Sequence, residues 1–176
     1  FYRDEGEGFP LFLIHGLAGD HKAWLNQIDY FKSNYRVIAI DNPGSGDSSP
    51  VTKPCSTQDL ANTMLEVMEN LSIKEAHIVG RSLGGFIGQK MVKTKPQMVT
   101  SLVISASAAK VDAIGTRILK NMKELLYWRD NWTEWATHSA HLFFSPKFFN
   151  ENPDVVKAVE AIAVSYTHLT LPTNIG

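Results

Sequence analysis

Short unbroken apolar runs alternate along this chain with longer stretches whose apolar residues recur at helical spacing. Pro10 to Ile14 is such a run, ends in His15-Gly16, and predicts a buried strand. Trp24, Ile28 and Phe31 then recur every three to four positions, predicting a helix within Lys22 to Ser33. A second apolar strand, Tyr35 to Ile40, leads into the turn-rich segment Asp41 to Pro54. Ser56 with Asp59 three residues later has the form of a capping box. The helix it opens carries Leu60, Met64, Val67, Met68 and Leu71 on one face. Ala76 to Val79 predicts a third strand, Leu83 to Lys95 its helix, and Thr100 to Ser105 a fourth strand. Apolar strands alternating with amphipathic helices predict an α/β fold. Its parallel sheet is covered on both faces in three layers, α/β/α, with right-handed crossovers. In such a fold the functional site lies at the carboxyl ends of the strands.

One junction carries chemistry. Gly80-Arg81-Ser82-Leu83-Gly84-Gly85 sits between the third strand and its helix, and a serine flanked by glycines at that place is a nucleophile elbow. The glycines let the chain turn sharply enough to hold the serine hydroxyl clear of the backbone. The helix behind it presents free N–H groups and a positive dipole end to a developing oxyanion.

Composition narrows the field without deciding it. At 176 residues, 44% hydrophobic and 20% charged, the chain can bury a real core. A formal net charge of -1 gives no global reason to expect nucleic acid as a partner. No apolar run approaches the length of a membrane span. The single cysteine, Cys55, excludes an internal disulfide framework and any Cys-based zinc cluster. It lies in a Pro/Ser/Thr loop with no obvious base beside it and reads as an incidental thiol. The chain opens on Phe1 rather than Met, so the lack of a leader carries little weight; the expected compartment is the cytoplasm. Val164 to Thr173 resembles the translation of a transposase-type sequencing adapter, so residues 164–176 are expected to be a non-native tail. His168 is thereby no candidate for catalysis.

Three segments resemble motifs of the α/β-hydrolase superfamily, in that family's order. His15-Gly16-Leu17-Ala18-Gly19 resembles its H-G-x oxyanion loop, Asp41 to Ser48 its D-x-R-G-x-G-x-S loop, and Gly80 to Gly85 its G-H-S-M-G-G elbow. The resemblance implies that the four strands are numbers three to six of the family sheet, in spatial order 4-3-5-6. Phe1 to Asp4 would end strand two. It further implies a partial core over 1–105 and a partial helical cap over 106–163. The segment Leu142 to Phe149 is most similar to 3-oxoadipate enol-lactonase-like and other small-ester hydrolases.

The same resemblance assigns roles. Ser82 would be the acyl-forming nucleophile, and the backbone N–H groups of Leu17 and Leu83 the oxyanion hole. His15, Gly16, Arg81 and Trp128 are candidates for lining the substrate pocket. His15 is expected to shape the oxyanion loop rather than act as base, and Asp41 to fix a tight loop, having no histidine partner in sequence range. Arg81 stands where the family most often has histidine, and Pro43 where it has arginine. Arg81 either binds a substrate carboxylate or, as expected, pairs with an acidic neighbour beneath the elbow. The family's catalytic acid and histidine follow strands seven and eight, beyond this chain, so the chain alone is expected to be nearly inactive. Its last strand would also present an unpaired edge.

Several residues receive blander readings. Asp112 reads as a solvated cap-entry residue, His138 and His141 as a polar helix face, and His77 as a core or sheet-face residue. Tyr127, Trp128, Trp132, Trp135, Phe143, Phe144, Phe148 and Phe149 make the cap region aromatic, forming its own core, an apolar lid, or both. The implied function is hydrolysis of a small hydrophobic ester, thioester or lactone without metal or organic cofactor. A non-catalytic ligand-binding protein and a cofactor-free haloperoxidase or lyase use the same fold and remain alternatives.

Overall fold

The computed structural model describes residues 1–129, 144–155 and 157–158. The chain forms two compact units, Phe1–Lys110 and a second beginning at Val111. The first unit holds a five-stranded mixed sheet. Its strands are β1 (Tyr2–Glu5), β2 (Phe9–Ile14), β3 (Tyr35–Ile40), β4 (Ala76–Arg81) and β5 (Val99–Ser105), in spatial order β1-β3-β2-β4-β5. β2 to β5 run parallel in the expected 4-3-5-6 order, while β1 pairs with β3 antiparallel, Tyr2 opposite Ile40. β5 pairs with β4 alone among the described residues, and Val103 and Ile104 on it are exposed.

The alternation of side chains along β2 and β3 builds two cores from one sheet. Phe12, Ile14, Ile38 and Ile40 point to one face, where they join Leu60, Met64 and Met68 of α2 (Thr57–Asn70) and Ile87 and Met91 of α3 (Leu83–Thr94). Leu11, Leu13, Val37 and Ala39 point to the other, against Trp24 and Ile28 of the segment leading into and through α1 (Leu25–Phe31). Burial on both faces explains why these strands read as unbroken apolar runs. It also makes the three layers a consequence of pattern rather than of any one contact.

The helices start where their caps dictate. The Ser56 side chain accepts from the Asp59 N–H and the Asp59 carboxylate accepts from the Ser56 N–H at 2.8 Å, completing the capping box of α2. Those hydrogen bonds from Ser56 hold the Asp59 carboxyl below its ordinary range. The helix expected from Lys22 begins instead as a 3-10 turn, His21–Trp24, before α1. Asp20 caps that turn by accepting from the Lys22 N–H at 2.7 Å, while Asp41 takes the His21 N–H at 2.6 Å. Two carboxylates thus hold the first N–H groups of the segment.

In the second unit, α4 (Ala113–Arg129) opens at Asp112, whose Oδ1 accepts from the Gly115 N–H at 2.7 Å. Asp112 is exposed and acts as a helix cap. α5 (Pro146–Glu151) is capped by Ser145, and Phe148 in it stacks on Phe144 with ring centroids 5.1 Å apart. Trp128 lies on α4, but its side chain, like those of Trp132, Trp135, His138 and His141, falls outside the described residues, as does the 164–176 tail. No described helix is long and apolar enough to cross a membrane.

Candidate active site

Strand β4 ends at Arg81 and helix α3 begins at Leu83, so the whole reversal from strand to helix falls on Ser82. Its backbone sits at φ 51°, ψ −114°, a left-handed conformation that a residue with a Cβ rarely adopts. Two glycines make the bend possible. A Cβ on Gly80 would collide with the Gly84 carbonyl, and one on Gly84 with the Ile14 carbonyl at the end of β2. The bend is held by hydrogen bonds from the Ser82 N–H to the Ser105 carbonyl at 2.8 Å and from the Gly85 N–H to the Ser82 carbonyl at 2.9 Å. Ser82 makes no side-chain cap to α3, so its hydroxyl is not spent on the helix it precedes.

The loop after β2 approaches the same point. A Cβ built on Gly16 would lie 3.1 Å from the Ser82 Cβ and 3.7 Å from its Oγ. Gly16, Leu17 and Leu83 line a pocket of about 350 Å³, counted with its open mouth, together with His15, Asn42, Ser45, Val51, Cys55 and Leu60. Five of the expected site residues therefore gather at one end of the sheet: His15, Gly16, Leu17, Ser82 and Leu83. Arg81 is exposed and has no ion pair among the described residues, so the expected acidic partner beneath the elbow is not found there.

His15 is buried and both its ring nitrogens are engaged. Nδ1 donates to the Gly16 carbonyl at 2.7 Å, and Nε2 accepts from the Asn42 N–H at 3.0 Å. Burial pushes its pKa below the ordinary histidine value, favouring this neutral form. A ring so occupied has no free nitrogen for a serine proton. What it does instead is orient: fixing the Gly16 carbonyl also fixes the opposite side of the same peptide, the Leu17 N–H.

Asp41 does have a histidine partner, contrary to the expectation from sequence. His21 Nδ1 lies 3.0 Å from both carboxylate oxygens, and the pair is buried. Asp41 also accepts the His21 N–H at 2.6 Å and the Asp47 N–H at 2.9 Å, so one carboxylate clamps the loop after β2 to the loop after β3. Ligand atoms of His21, Asp41 and Asp47 fall within 4.8 Å of one another, the donor set a metal would use. The Asp41 oxygens are already taken by those N–H groups, which makes the cluster a loop clamp. His77 faces the sheet surface, with Nδ1 2.8 Å from Ser101 Oγ and its ring against Phe9.

Comparison with known proteins covers most of the chain. The family described as alpha/beta hydrolase fold matches residues 10–157. The chain belongs to the alpha/beta hydrolase fold family. A hydrolase structure from Pseudomonas aeruginosa superposes on this family member with a TM-score of 0.84 at 25% identity, over 95% of this chain and 63% of that one. (E)-2-((N-methylformamido)methylene)succinate hydrolase of Acinetobacter baylyi is 34% identical over 103 residues, 58% of this chain and 39% of that protein. 3-oxoadipate enol-lactonase 2 of the same organism is 28% identical over 147 residues, 84% of this chain and 54% of its own length. This hydrolase-fold chain spans between 30% and 62% of the length of the first curated relatives it matches.

Proposed function

We propose that this sequence carries the nucleophile and oxyanion hole of a serine hydrolase that cleaves a small carboxylic ester, thioester or lactone. The observation that carries the reading is the left-handed Ser82 at the strand-to-helix bend, with Gly16 against it and both candidate amides, Leu17 and Leu83, on one pocket. In this reading Ser82 Oγ attacks the substrate carbonyl carbon and its proton passes to a base. The Leu17 and Leu83 N–H groups donate to the resulting oxyanion, the second of them free because it opens a helix. Collapse expels the alcohol or thiol, which takes up the proton, and leaves acyl-Ser82. Water then attacks that ester by the same route and releases the acid.

His15 is not that base, since its nitrogens serve Gly16 and Asn42. In the whole protein the base and its orienting acid come from residues other than those described, as the family resemblance implies. The family resemblance implies that residues 106–163 belong to a partial helical cap. Two relatives named as hydrolase and enol-lactonase support cleavage of a carbonyl-linked bond. The test is reaction of the complete protein bearing this sequence with a fluorophosphonate, followed by peptide mapping. The adduct is expected on Ser82 and absent from Ser82→Ala; butyrate-ester turnover that survives Ser82→Ala overturns the assignment.

A further inference from the structure

The pocket beside Ser82 has two unlike walls. One is the loop after β2 and the start of α3, which hold Leu17 and Leu83. The other is the loop after β3, which folds back so that Val51 and Cys55 face the same space, with Leu60 of α2 beneath them. Leu17 and Cys55 both pack against the core cluster that contains Leu60 and Leu83, so the apolar lining is continuous with the interior. Val51 is seated on Gly44: a Cβ there would stand 3.1 Å from the Val51 Cγ2, and φ +80° at Gly44 supplies the turn. The first wall is tied to the backbone geometry of the elbow. The second is made of side-chain ends on a loop.

Resting on the function proposed above, we infer that this pocket receives the acyl chain of the substrate and that Val51 and Cys55 set its length and branching. The carbonyl oxygen of a substrate attacked by Ser82 lies between the Leu17 and Leu83 amides, which places the acyl substituent next to the space those residues line. Leu17, Val51, Leu60 and Leu83 give that space apolar sides beside the polar His15, Asn42 and Ser45. Only a small part of it is enclosed, so it favours short unbranched chains. Cys55 and Val51 belong to neither the elbow nor the oxyanion loop, so specificity there is separable from chemistry.

Cys55 is the single cysteine of the chain, which makes a thiol reagent a reporter on this pocket alone. With methyl methanethiosulfonate, the Cys55 thiolate attacks the sulfenyl sulfur, forming a methyl disulfide and expelling methanesulfinate; intact mass gives the rate. Methyl butyrate at about four times its dissociation constant is expected to slow labelling about fivefold. The same protection is expected in Ser82→Ala, whereas the branched methyl pivalate protects neither protein. Val51→Ala is expected to shift the best protecting ester from butyrate toward hexanoate. Equal labelling with and without every ester, in protein whose circular dichroism shows it folded, overturns the inference even if a fluorophosphonate labels Ser82. Protection by butyrate and pivalate alike overturns the assignment of chain selectivity. Protection in both proteins while a fluorophosphonate ignores Ser82 upholds the acyl pocket and removes only the nucleophile assignment.

Discussion

Replacing Ser82 by glycine and by alanine separates the cost of the bend from the loss of the hydroxyl. Both variants lack Oγ, but only alanine keeps the Cβ that makes φ 51°, ψ −114° unfavourable. Holding a non-glycine residue in such a region costs roughly 1–3 kcal/mol. Glycine gives back about 0.5–1 kcal/mol through the greater freedom of its unfolded chain. The glycine variant should therefore be the more stable of the two by about 1 kcal/mol, with roughly 2 as the upper end. For a chain of this size that is a rise in melting temperature of about 2–4 °C. Matched thermal melts followed by circular dichroism, with urea titrations as a second measure, read the difference directly. If the alanine variant melts at or above the glycine variant, Ser82 is not held under backbone strain and the elbow has been misread.

Three further outcomes follow from the same coordinates. Gly84→Ala gains helix propensity worth about 1 kcal/mol but drives a Cβ into the Ile14 carbonyl, so a net loss of about 1–3 kcal/mol is expected in urea titration. Met64→Ala empties a fully buried site between α2 and the sheet and should cost about 2–5 kcal/mol in the same assay. His15 is held neutral by burial, with its folded pKa below the ordinary 6.5, so the unfolded chain binds the extra proton first. Stability is thus fully present above 6.5 and falls as pH drops through the window below it, by up to about 1.4 kcal/mol per pH unit. His15→Gln should flatten that slope in melts run at a series of pH values from 7 downward.

Much of the framework could be read from local pattern because local physics produced it. Tyr35–Ile40 is a strand with the expected bounds, since a run buried on both faces leaves no ambiguity of period. Ser56 and Asp59 announced the start of α2 because a capping box is closed within four residues. The elbow was legible from its strand-glycine-serine-glycine-helix order, and only part of its packing is local. A Cβ on Gly80 would meet the Gly84 carbonyl one turn on, whereas one on Gly84 would meet the distant Ile14 carbonyl. The His21–Asp41 clamp was not legible. Its members are twenty positions apart and meet only because two loops leave adjacent parallel strands at the same end. Nothing local marks them beyond a histidine and an aspartate in turn-rich sequence. Val51 and Cys55 escaped for a related reason, since a loop side chain faces a pocket by virtue of the path of the loop, and neither residue type signals it. The antiparallel β1 was visible only through the family resemblance, because four residues carry too short a pattern.

The absent side chain at Gly84 has a reach beyond stability. With the start of α3 resting directly on the last carbonyl of β2, there is no slack at this end of the sheet into which a larger residue could grow. A side chain at position 84 is thereby excluded unless β2 or α3 shifts, whereas the 43–55 loop, whose Val51 and Cys55 line the adjoining pocket, can vary without touching that contact. Diversity should accumulate in that loop like writing on a detachable label, while the bend itself stays almost invariant.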